Sequence, residues 1–353
     1  MKELLEGNGC RISKNLAIGE LDCVVLENEK IYLKILNGKG ADVIALIYKP
    51  LGIDLVWISN TGLPDKRFSA QDYQNEFLFT DSYLGGWQSI FPNGGLPSEF
   101  NGVKFLQHDE VSLHPWSYRI LENSDERISV AFDISAQKVP FRLTKIFTLE
   151  RNSALLQIEE QVENISDQLQ YAMWGHHITF GQPFLTCNSK VVLTGSPTVI
   201  PHPTEIDSGG RRLGSSSNFD WPFGLDSEGK EIDFSEIPDR GTESELLYLT
   251  DLDNGAFRIE SPDVGLAIDY EWEKEIFPYL WYWQEFGHTE KYPWFGKNFN
   301  IGLEPFSSFP TNGIAEAYEN GTVMKFAPNQ TKVAKSTFEI SELQTTKLGE
   351  EKK

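Results

Sequence analysis

The fold is decided by the stretch Phe141-Arg142-Leu143-Thr144-Lys145-Ile146-Phe147-Thr148-Leu149-Glu150, which continues as Arg151-Asn152-Ser153-Ala154-Leu155-Leu156-Gln157-Ile158-Glu159-Glu160-Gln161-Val162. Apolar and polar residues alternate on both sides of the polar turn at 151–153, and in the first half only Lys145 breaks the pattern. The alternating apolar residues are Phe141, Leu143, Phe147 and Leu149, then Leu156, Ile158 and Val162. A period of two around a polar turn predicts two antiparallel strands with one buried face.

Similar runs occur on both sides of this hairpin over most of the chain. The further predicted strands are Ile31–Leu36, Val43–Tyr48, Glu126–Ile134, Glu245–Thr250, Ala256–Ile259, Val264–Tyr270, Tyr279–Glu285 and Ser336–Leu343. Only short helices are predicted, at Gln71–Phe79 and Tyr83–Trp87. So many strands with so few helices predict a mostly β protein of stacked sheets, a sandwich or a barrel.

The organisation along the chain favours a single domain over residues 1–353, because no repeat or linker divides it. Residues 201–240 form a long polar excursion, which fits a functional lid or rim and a variable surface loop equally well. The charged tail at 345–353 is expected to be frayed.

Composition excludes several classes of function. The chain has 353 residues and a net charge of −21, and it has no strong Lys/Arg cluster, so nucleic acid and anionic membrane surfaces are not expected partners. Three cysteines fit a reducing compartment better than a disulfide framework. The first residues lack the apolar run of a signal peptide, and no stretch is apolar enough for a membrane helix, so a cytoplasmic location is expected.

Two adjacent histidines lie in the strand-like run Tyr171-Ala172-Met173-Trp174-Gly175-His176-His177-Ile178-Thr179-Phe180-Gly181. Histidine can exchange a proton near neutral pH. Neighbouring residues of a strand point to opposite faces, so His176 and His177 are expected to have different roles and are poorly placed to bind one metal together. On the residues alone, hydrogen bonding in a wet core is an equally good interpretation.

A candidate carboxylate partner is Glu304, in Asn300-Ile301-Gly302-Leu303-Glu304-Pro305-Phe306. In an extended segment Gly302 and Glu304 share a face, and the glycine leaves space beside the carboxylate. Burial among apolar neighbours would raise the pKa of Glu304, which suits a general base. The alternative is a strand-end glutamate that meets solvent or a lysine.

Two further segments offer binding residues. Trp283, with Gln284 or Glu285, belongs to an aromatic run at 279–286 whose rings suit sugar C–H faces, although most such rings fill a core. His108 lies in Leu106-Gln107-His108-Asp109-Glu110, where an exposed loop histidine is the favoured interpretation from the residues alone. The glycine-rich segment 84–95 lacks the ending of a phosphate loop.

Taken together, these motifs resemble the galactose mutarotase-like superfamily, the aldose 1-epimerases and their uncharacterised relatives, over about residues 31–326. The segment around His108 looks like the family's His-Gly-Glu segment, His177-Ile178-Thr179-Phe180-Gly181 looks like its His-x-x-Phe segment, and Leu303-Glu304-Pro305-Phe306 looks like the segment with the catalytic glutamate. The resemblance implies a β-supersandwich of large twisted antiparallel sheets.

The activity implied by the resemblance is interconversion of the α and β anomers of a free sugar without a cofactor or a metal. It makes Glu304 the base for the C1 hydroxyl and His177 the acid for the ring oxygen. His108 would hold the ring oxygen, while Trp283, Gln284 and Glu285 would bind the sugar. His176 would be a neighbouring support or a substrate contact.

The chain departs from the family where an arginine commonly follows the Phe-Pro segment, since Asn93-Gly94-Gly95 stand there. The resemblance therefore does not assign the identity of the sugar substrate, and the net charge of the chain disfavours a phosphorylated or acidic sugar. The alternatives are a non-catalytic carbohydrate-binding or regulatory protein on the same fold, a polysaccharide lyase or glycoside-active enzyme, and a cupin-type metal enzyme. The adjacent-histidine geometry argues against the last, and the sequence does not predict an oligomeric state.

Overall fold

The computed structural model describes residues 9–60, 62 and 65–343, and strands dominate it. The strands are β1 (Arg11–Ile18), β2 (Leu21–Glu27), β3 (Ile31–Leu36), β4 (Asp42–Tyr48), β5 (Ile53–Asp54), β6 (Trp87–Ile90), β7 (Ser98–Phe100), β8 (Val103–Phe105), β9 (Ser117–Asn123), β10 (Arg127–Ser135), β11 (Phe141–Glu150), β12 (Leu155–Asn164), β13 (Gln170–Ala172), β14 (Gly175–Gly181), β15 (Lys190–Val192), β16 (Thr198–Pro201), β17 (Phe219–Asp220), β18 (Phe223–Leu225), β19 (Glu231–Asp233), β20 (Glu245–Thr250), β21 (Ala256–Ser261), β22 (Leu266–Trp272), β23 (Tyr279–Glu285), β24 (Asn300–Phe306), β25 (Met324–Phe326) and β26 (Thr331–Glu342). The helices are a 3₁₀ turn at Asp72–Gln74, α1 (Leu78–Asp81) and α2 (Ile314–Glu319).

Two large sheets organise these strands. The first has twelve strands in the order β1-β2-β3-β4-β6-β14-β24-β23-β20-β16-β17, with β5 paired to β4. The second has eight strands in the order β15-β21-β22-β26-β12-β11-β10-β9. Every pairing in both sheets is antiparallel.

The main core lies between the two sheets. The alternating residues of β11 and β12 are buried there, as their period of two predicts. They share one apolar cluster with inward-facing residues of the first sheet, including Ile178 and Phe180 of β14 and Ile301 and Leu303 of β24. The predicted β-supersandwich of large antiparallel sheets is confirmed.

Lys145 breaks the apolar alternation of β11, yet its ammonium group is buried in this core with polar partners. Lys145 on β11 pairs across the ladder with Glu160 on β12, and their charged atoms lie 3.5 Å apart. Lys145 also donates a hydrogen bond to Ser89 of the facing sheet at 2.9 Å. Glu160 Oε2 lies 2.9 Å from Nε2 of His176, also on the facing sheet. The break is therefore a polar link between the two layers.

The opposite face of the twelve-stranded sheet carries a second apolar cluster. Connecting segments cover it, and α1 contributes Phe79 beside Tyr83, Trp281 and Phe306. Trp281 and Phe306, on neighbouring strands, stack with ring centroids 3.7 Å apart. A cavity lies on this covered face rather than in the inter-sheet core.

The predicted helix at Tyr83–Trp87 is wrong. Gly85 and Gly86 have φ angles of +77° and +82°, which a right-handed helix cannot contain. A β-carbon on Gly86 would meet the carbonyl oxygen of Val43, so the glycines also permit a close approach to β4. The helix predicted at Gln71–Phe79 is shorter than expected, since it consists of the 3₁₀ turn and the start of α1.

The excursion at 201–240 is only partly a loop. It contains β17, which extends the first sheet beside β16, and the small hairpin β18–β19. Trp221 and Phe234 of this segment are buried in the main core, which explains why it is ordered into strands. The elements that were not predicted include the strands β1, β2 and β9, several short strands and the helix α2. The tail at 345–353 lies outside the described residues. No helix in the described part of the chain is long and apolar enough to cross a membrane.

Candidate active site

His176 and His177 point to opposite faces of β14, as strand alternation predicts. His176 is fully buried between the sheets, where Trp87 Nε1 donates a hydrogen bond to its Nδ1 at 3.0 Å. Nε2 of His176 therefore carries the proton and faces Glu160. His177 lies on the other face and lines a cavity there. The two histidines cannot ligate one metal.

Glu304 lies opposite His177 on the neighbouring strand. Gly175 pairs with Phe306, and Thr179 pairs with Gly302, so the intervening register sets His177 against Glu304. Nε2 of His177 is 3.6 Å from Oε1 of Glu304, and both side chains are buried. Directly opposed residues of an antiparallel pair share a face, which brings both groups to the same cavity. His177 and Glu304 thus form one pair of titratable groups, the acid/base pair.

Burial sets the protonation of the acid/base pair. It raises the pKa of the Glu304 carboxyl well above its usual range. Burial, with a smaller contribution from His108, lowers the pKa of His177 well below its usual range. Between those two values both groups are neutral, and the pair holds one exchangeable proton on Glu304.

A short hydrogen-bond chain orients the His177 ring. The Thr179 hydroxyl donates to the Gly86 carbonyl at 2.9 Å, so its oxygen accepts from the Tyr83 hydroxyl at 3.3 Å. The Tyr83 oxygen can then accept from Nδ1–H of His177, also at 3.3 Å. That assignment puts the His177 proton on Nδ1 and leaves the Nε2 lone pair towards Glu304.

His108 completes the polar end of the cavity. Its backbone has a φ of +49°, and its Nδ1 accepts a hydrogen bond from the Gly95 amide at 3.1 Å. The remaining nitrogen, Nε2, therefore carries the proton of the neutral ring. Burial lowers the pKa of His108 to about 3, which keeps it a neutral donor. Its ring meets His177 edge to face, with centroids 5.3 Å apart.

The cavity has a volume of about 380 Å³, within the usual range for small-molecule sites. Aromatic rings form much of its wall, and Trp283 lies 5.8 Å from the His177 ring and 5.5 Å from Trp294 between centroids. Its acidic lining residues are Glu205, Asp207 and Glu304, and no lining residue that the structure describes is Lys or Arg. The lining therefore suits an uncharged, hydroxyl-rich ligand with apolar faces.

Several bacterial proteins of known structure share this architecture. A proposed aldose 1-epimerase from Klebsiella pneumoniae superposes with a TM-score of 0.71 at 13% identity, over 96% of this chain and 86% of that one. A galactose mutarotase-like protein from Clostridium acetobutylicum gives 0.64 at 17% identity, over 95% and 99%. A proposed mutarotase from Salmonella typhimurium gives 0.62 at 14% identity, over 94% and 97%.

This chain has the galactose mutarotase-like fold. It also spans about half, 47%, of a TPR-domain-containing protein from Parabacteroides distasonis, with a TM-score of 0.60 at 15% identity over 91% of this chain. No protein-family model matches the chain, and no curated protein matches it by sequence. At these identities the likeness establishes the fold alone.

Within the mutarotase-like fold, four predicted site residues meet at one cavity. His108, His177, Trp283 and Glu304 all line it. The interpretation of His108 as an exposed loop residue is wrong, because the 93–95 turn and α1 bury it.

Three residues predicted to bind substrate do not line the cavity. His176 faces the other layer of the mutarotase-like fold. Gln284 is also fully buried, and its side chain accepts a hydrogen bond from Arg212 at 2.7 Å. Glu285 accepts hydrogen bonds from Ser244 and Thr289 at 2.5 and 2.7 Å. These contacts lie within the protein, and none of the three residues lines the cavity of His177 and Glu304, so the structure does not place them in contact with a ligand there.

Sequence reasoning missed other lining residues. Tyr83, His202, Asp207 and Trp294 line the cavity, but they come from connecting segments rather than from strands with a clear period. The sequence feature that points to His202 and Asp207 is the polar excursion after residue 201. The rim of a functional site is one of the two interpretations of that excursion. The first part of that excursion, 202–207, does form a wall of the cavity.

Proposed function

We propose that this protein interconverts the α and β anomers of a free sugar by acid/base ring opening and closure. The observation that carries the proposal is the 3.6 Å approach of His177 Nε2 to Glu304 Oε1 at a cavity walled by aromatic rings. The C1 hydroxyl and the ring oxygen are both bonded to C1. Two groups that are close neighbours can therefore serve both oxygens of one sugar.

In the proposed reaction, Glu304 takes the proton of the C1 hydroxyl, and His177 protonates the ring oxygen as its bond to C1 breaks. The open-chain aldehyde then rotates about its C1–C2 bond, and closure on the other face reverses both transfers. His108 donates a hydrogen bond through Nε2 to the ring oxygen. Trp283 offers an aromatic face to the sugar C–H groups.

Before a sugar binds, both members of the acid/base pair are neutral, and this state is compatible with the proposed proton transfers. Moving one proton from Glu304 to His177 produces the carboxylate base and the imidazolium acid without any change in total charge. The Tyr83 oxygen supports the imidazolium by accepting from Nδ1. Ring opening then returns the pair to its neutral form, so the open-chain intermediate coincides with the protonation state that burial favours.

The acidic lining favours a neutral sugar over a phosphorylated one. Glu205 and Asp207 stand in the wall, and the described lining offers no Lys or Arg to neutralise a phosphate. At the position where related enzymes commonly carry an arginine, Asn93 is buried and its side chain hydrogen-bonds Leu96, Leu106 and Ile314. We expect free hexoses to react faster than their 6-phosphates.

The test is NMR exchange spectroscopy or polarimetry on freshly dissolved aldoses. His177→Ala and Glu304→Gln should each lower the enzymatic rate about 10²- to 10⁴-fold, the usual loss when a general acid or base is removed. His288→Ala and Glu290→Gln are matched controls outside the cavity lining and should exchange anomers at the wild-type rate. Full activity in both site variants would refute the mechanism.

A wild-type protein that binds sugars but accelerates no anomer exchange would instead be a carbohydrate-binding protein on this fold. The close apposition of two buried titratable groups favours catalysis, because carboxyl groups are rarely buried without an ionic partner.

A further inference from the structure

The cavity wall at residues 202–207, here the wall segment, is attached to the sheet at its first residue. The His202 amide donates a hydrogen bond to the Leu246 carbonyl at 2.9 Å, and Arg211 donates one to the His202 carbonyl at 3.1 Å. Within the described part of the chain, residues 203–206 make no hydrogen bond to another segment, and the first three of them are exposed. The position of this wall therefore depends on what holds its other end.

Asp207 holds that other end through the hydroxyl of Thr289. Its Oδ2 accepts a hydrogen bond from Thr289 Oγ1 at 2.6 Å, and its Oδ1 accepts one from the nearby Gly209 amide at 2.7 Å. The Gly209 contact is local to the segment, so Thr289 supplies the polar link to the rest of the molecule. Ile206 adds apolar packing against the second apolar cluster.

The Thr289 hydroxyl lies between two carboxyl groups. Its Oγ1 is also 2.7 Å from Oε2 of Glu285, which is held in turn by Ser244 at 2.5 Å. A hydroxyl has one proton, so a bridge between two carboxyl groups needs a further proton shared between them. Burial, together with the negative charge of Asp207, raises the pKa of Glu285 in the direction that retains this proton.

This bridge connects the sheet of the acid/base pair to the wall segment. Glu285 is the last residue of β23, which pairs with the strand of Glu304. Thr289 itself is fully buried and does not line the cavity. A buried hydrogen bond to a carboxyl group is stronger than one between neutral groups in solvent, so its loss should loosen the far end of the wall.

The wall segment and the acid/base pair are held by different contacts. His177 and Glu304 project from β14 and β24, and Tyr83 orients the His177 ring. Five residues of the wall segment line the same cavity from another side. A displaced wall would therefore weaken sugar binding while the proton-transfer groups stay in place.

We propose that Thr289 is a positioning residue for sugar binding, because its hydroxyl fixes the wall segment at Asp207. The inference rests on the proposed function, and it adds a residue outside the cavity lining on which sugar affinity depends. Thr289 acts through the wall and does not touch the sugar.

The first experiment compares anomer exchange of glucose and galactose in two variants. Thr289→Val has the same shape as threonine but lacks the hydroxyl, and its KM should rise about tenfold, as expected for one lost hydrogen bond, with kcat nearly unchanged. Thr289→Ser keeps the hydroxyl and should restore most of the affinity. A fall in kcat at unchanged KM, or equal losses in the two variants, would overturn the positioning role.

The second experiment measures the wall segment without any catalysis. Glu205 is exposed, and a glutamyl endopeptidase can cut after it only when the segment opens locally. Thr289→Val should speed this cut about tenfold, while cleavage after Glu126, in an exposed turn far along the chain, stays at the wild-type rate. An unchanged rate after Glu205 would also overturn the inference.

Calorimetry with glucose and galactose separates this inference from the proposed function. A wild-type protein that binds a sugar without exchanging its anomers would refute catalysis. Weaker sugar binding and faster cleavage after Glu205 in Thr289→Val, both restored in Thr289→Ser, would still support the positioning role.

Discussion

Glu304 Oε1 occupies the space that a side chain on Gly302 would need. The two residues share the outer face of β24, and a β-carbon on Gly302 would overlap that carboxyl oxygen. The glycine has an ordinary extended φ, so its missing side chain, rather than any backbone freedom, is what the site requires. The position of the carboxyl group therefore depends on a residue that makes no polar contact with it.

We expect Gly302→Ala to separate activity from stability. The new methyl group would displace the Glu304 carboxyl by roughly 1 Å, a misplacement that can cost about 100-fold in rate. The melting temperature should not fall, because alanine in a strand is roughly 0.5–1 kcal/mol more favourable than glycine and a flexible side-chain end can move. Anomer exchange and thermal unfolding of the same preparations check both parts. Wild-type exchange rates in Gly302→Ala would contradict the assignment of Glu304.

The pH profile of anomer exchange should be flat where ordinary histidine titrates. Burial lowers the pKa of His177 and raises that of Glu304, so the pair keeps one proton between the two shifted values. We expect kcat/KM, which reports the free enzyme, to show no inflection near the usual histidine pKa of about 6.5. An acidic limb centred near that value would show that His177 is solvated rather than buried.

Much of the fold follows from alternation alone, as β11 and β12 show. The same rule assigns His176 and His177 to opposite faces and puts Glu304 beside Gly302. Alternation could not predict that Lys145 and Glu160 are ladder partners, since that depends on register. Lys145 breaks the apolar alternation of β11 and Glu160 breaks that of β12. In the fold these two residues form one buried ion pair.

The rest of the site depends on how connecting segments fold over the sheet. His108 is held by a backbone amide of the 93–95 turn, and Tyr83 precedes two glycines with positive φ. No periodicity encodes such contacts. Glu285 shares the strand face of Trp283, but Ser244 and Thr289 bind its carboxyl group. Residue type and nearness to a predicted pocket therefore did not identify which side chains line the cavity.

Glu304→Gln, besides its expected loss of about 10²- to 10⁴-fold in rate, should be more stable than wild type, increasingly so as the pH rises. The pKa of Glu304 is raised in the folded state, so this group stabilises the fold fully below its unfolded pKa of about 4.5 and loses that contribution at higher pH. Glutamine does not titrate and avoids the loss, which grows by about 1.4 kcal/mol per pH unit between the unfolded and the folded pKa. Chemical denaturation from pH 4 to 8 measures the difference, with Glu290→Gln as the exposed control. A pH-independent difference would contradict the raised pKa.

The inter-layer contact of Glu160 predicts the opposite pH dependence. Burial alone would raise the pKa of Glu160, but the charges of His176 and Lys145, with hydrogen bonds from His176 and Ser89, lower it to about 2. Because burial also lowers the pKa of His176, Lys145 supplies the opposing charge at neutral pH. Glu160→Gln leaves that ammonium group buried without a counter-charge, a change that typically costs about 3–5 kcal/mol.

The matched control is Glu159→Gln, on the same strand but on its half-exposed face, where the ion pair with Lys335 is 3.7 Å long and should matter little. A lowered folded pKa means that the stabilisation by Glu160 is present above about pH 4.5 and is lost as the pH falls to about 2. Denaturant titrations should therefore show a large deficit for Glu160→Gln at pH 7 that shrinks through this range. Equal stabilities of the two variants at pH 7 would mean that the buried charges do not hold the layers together.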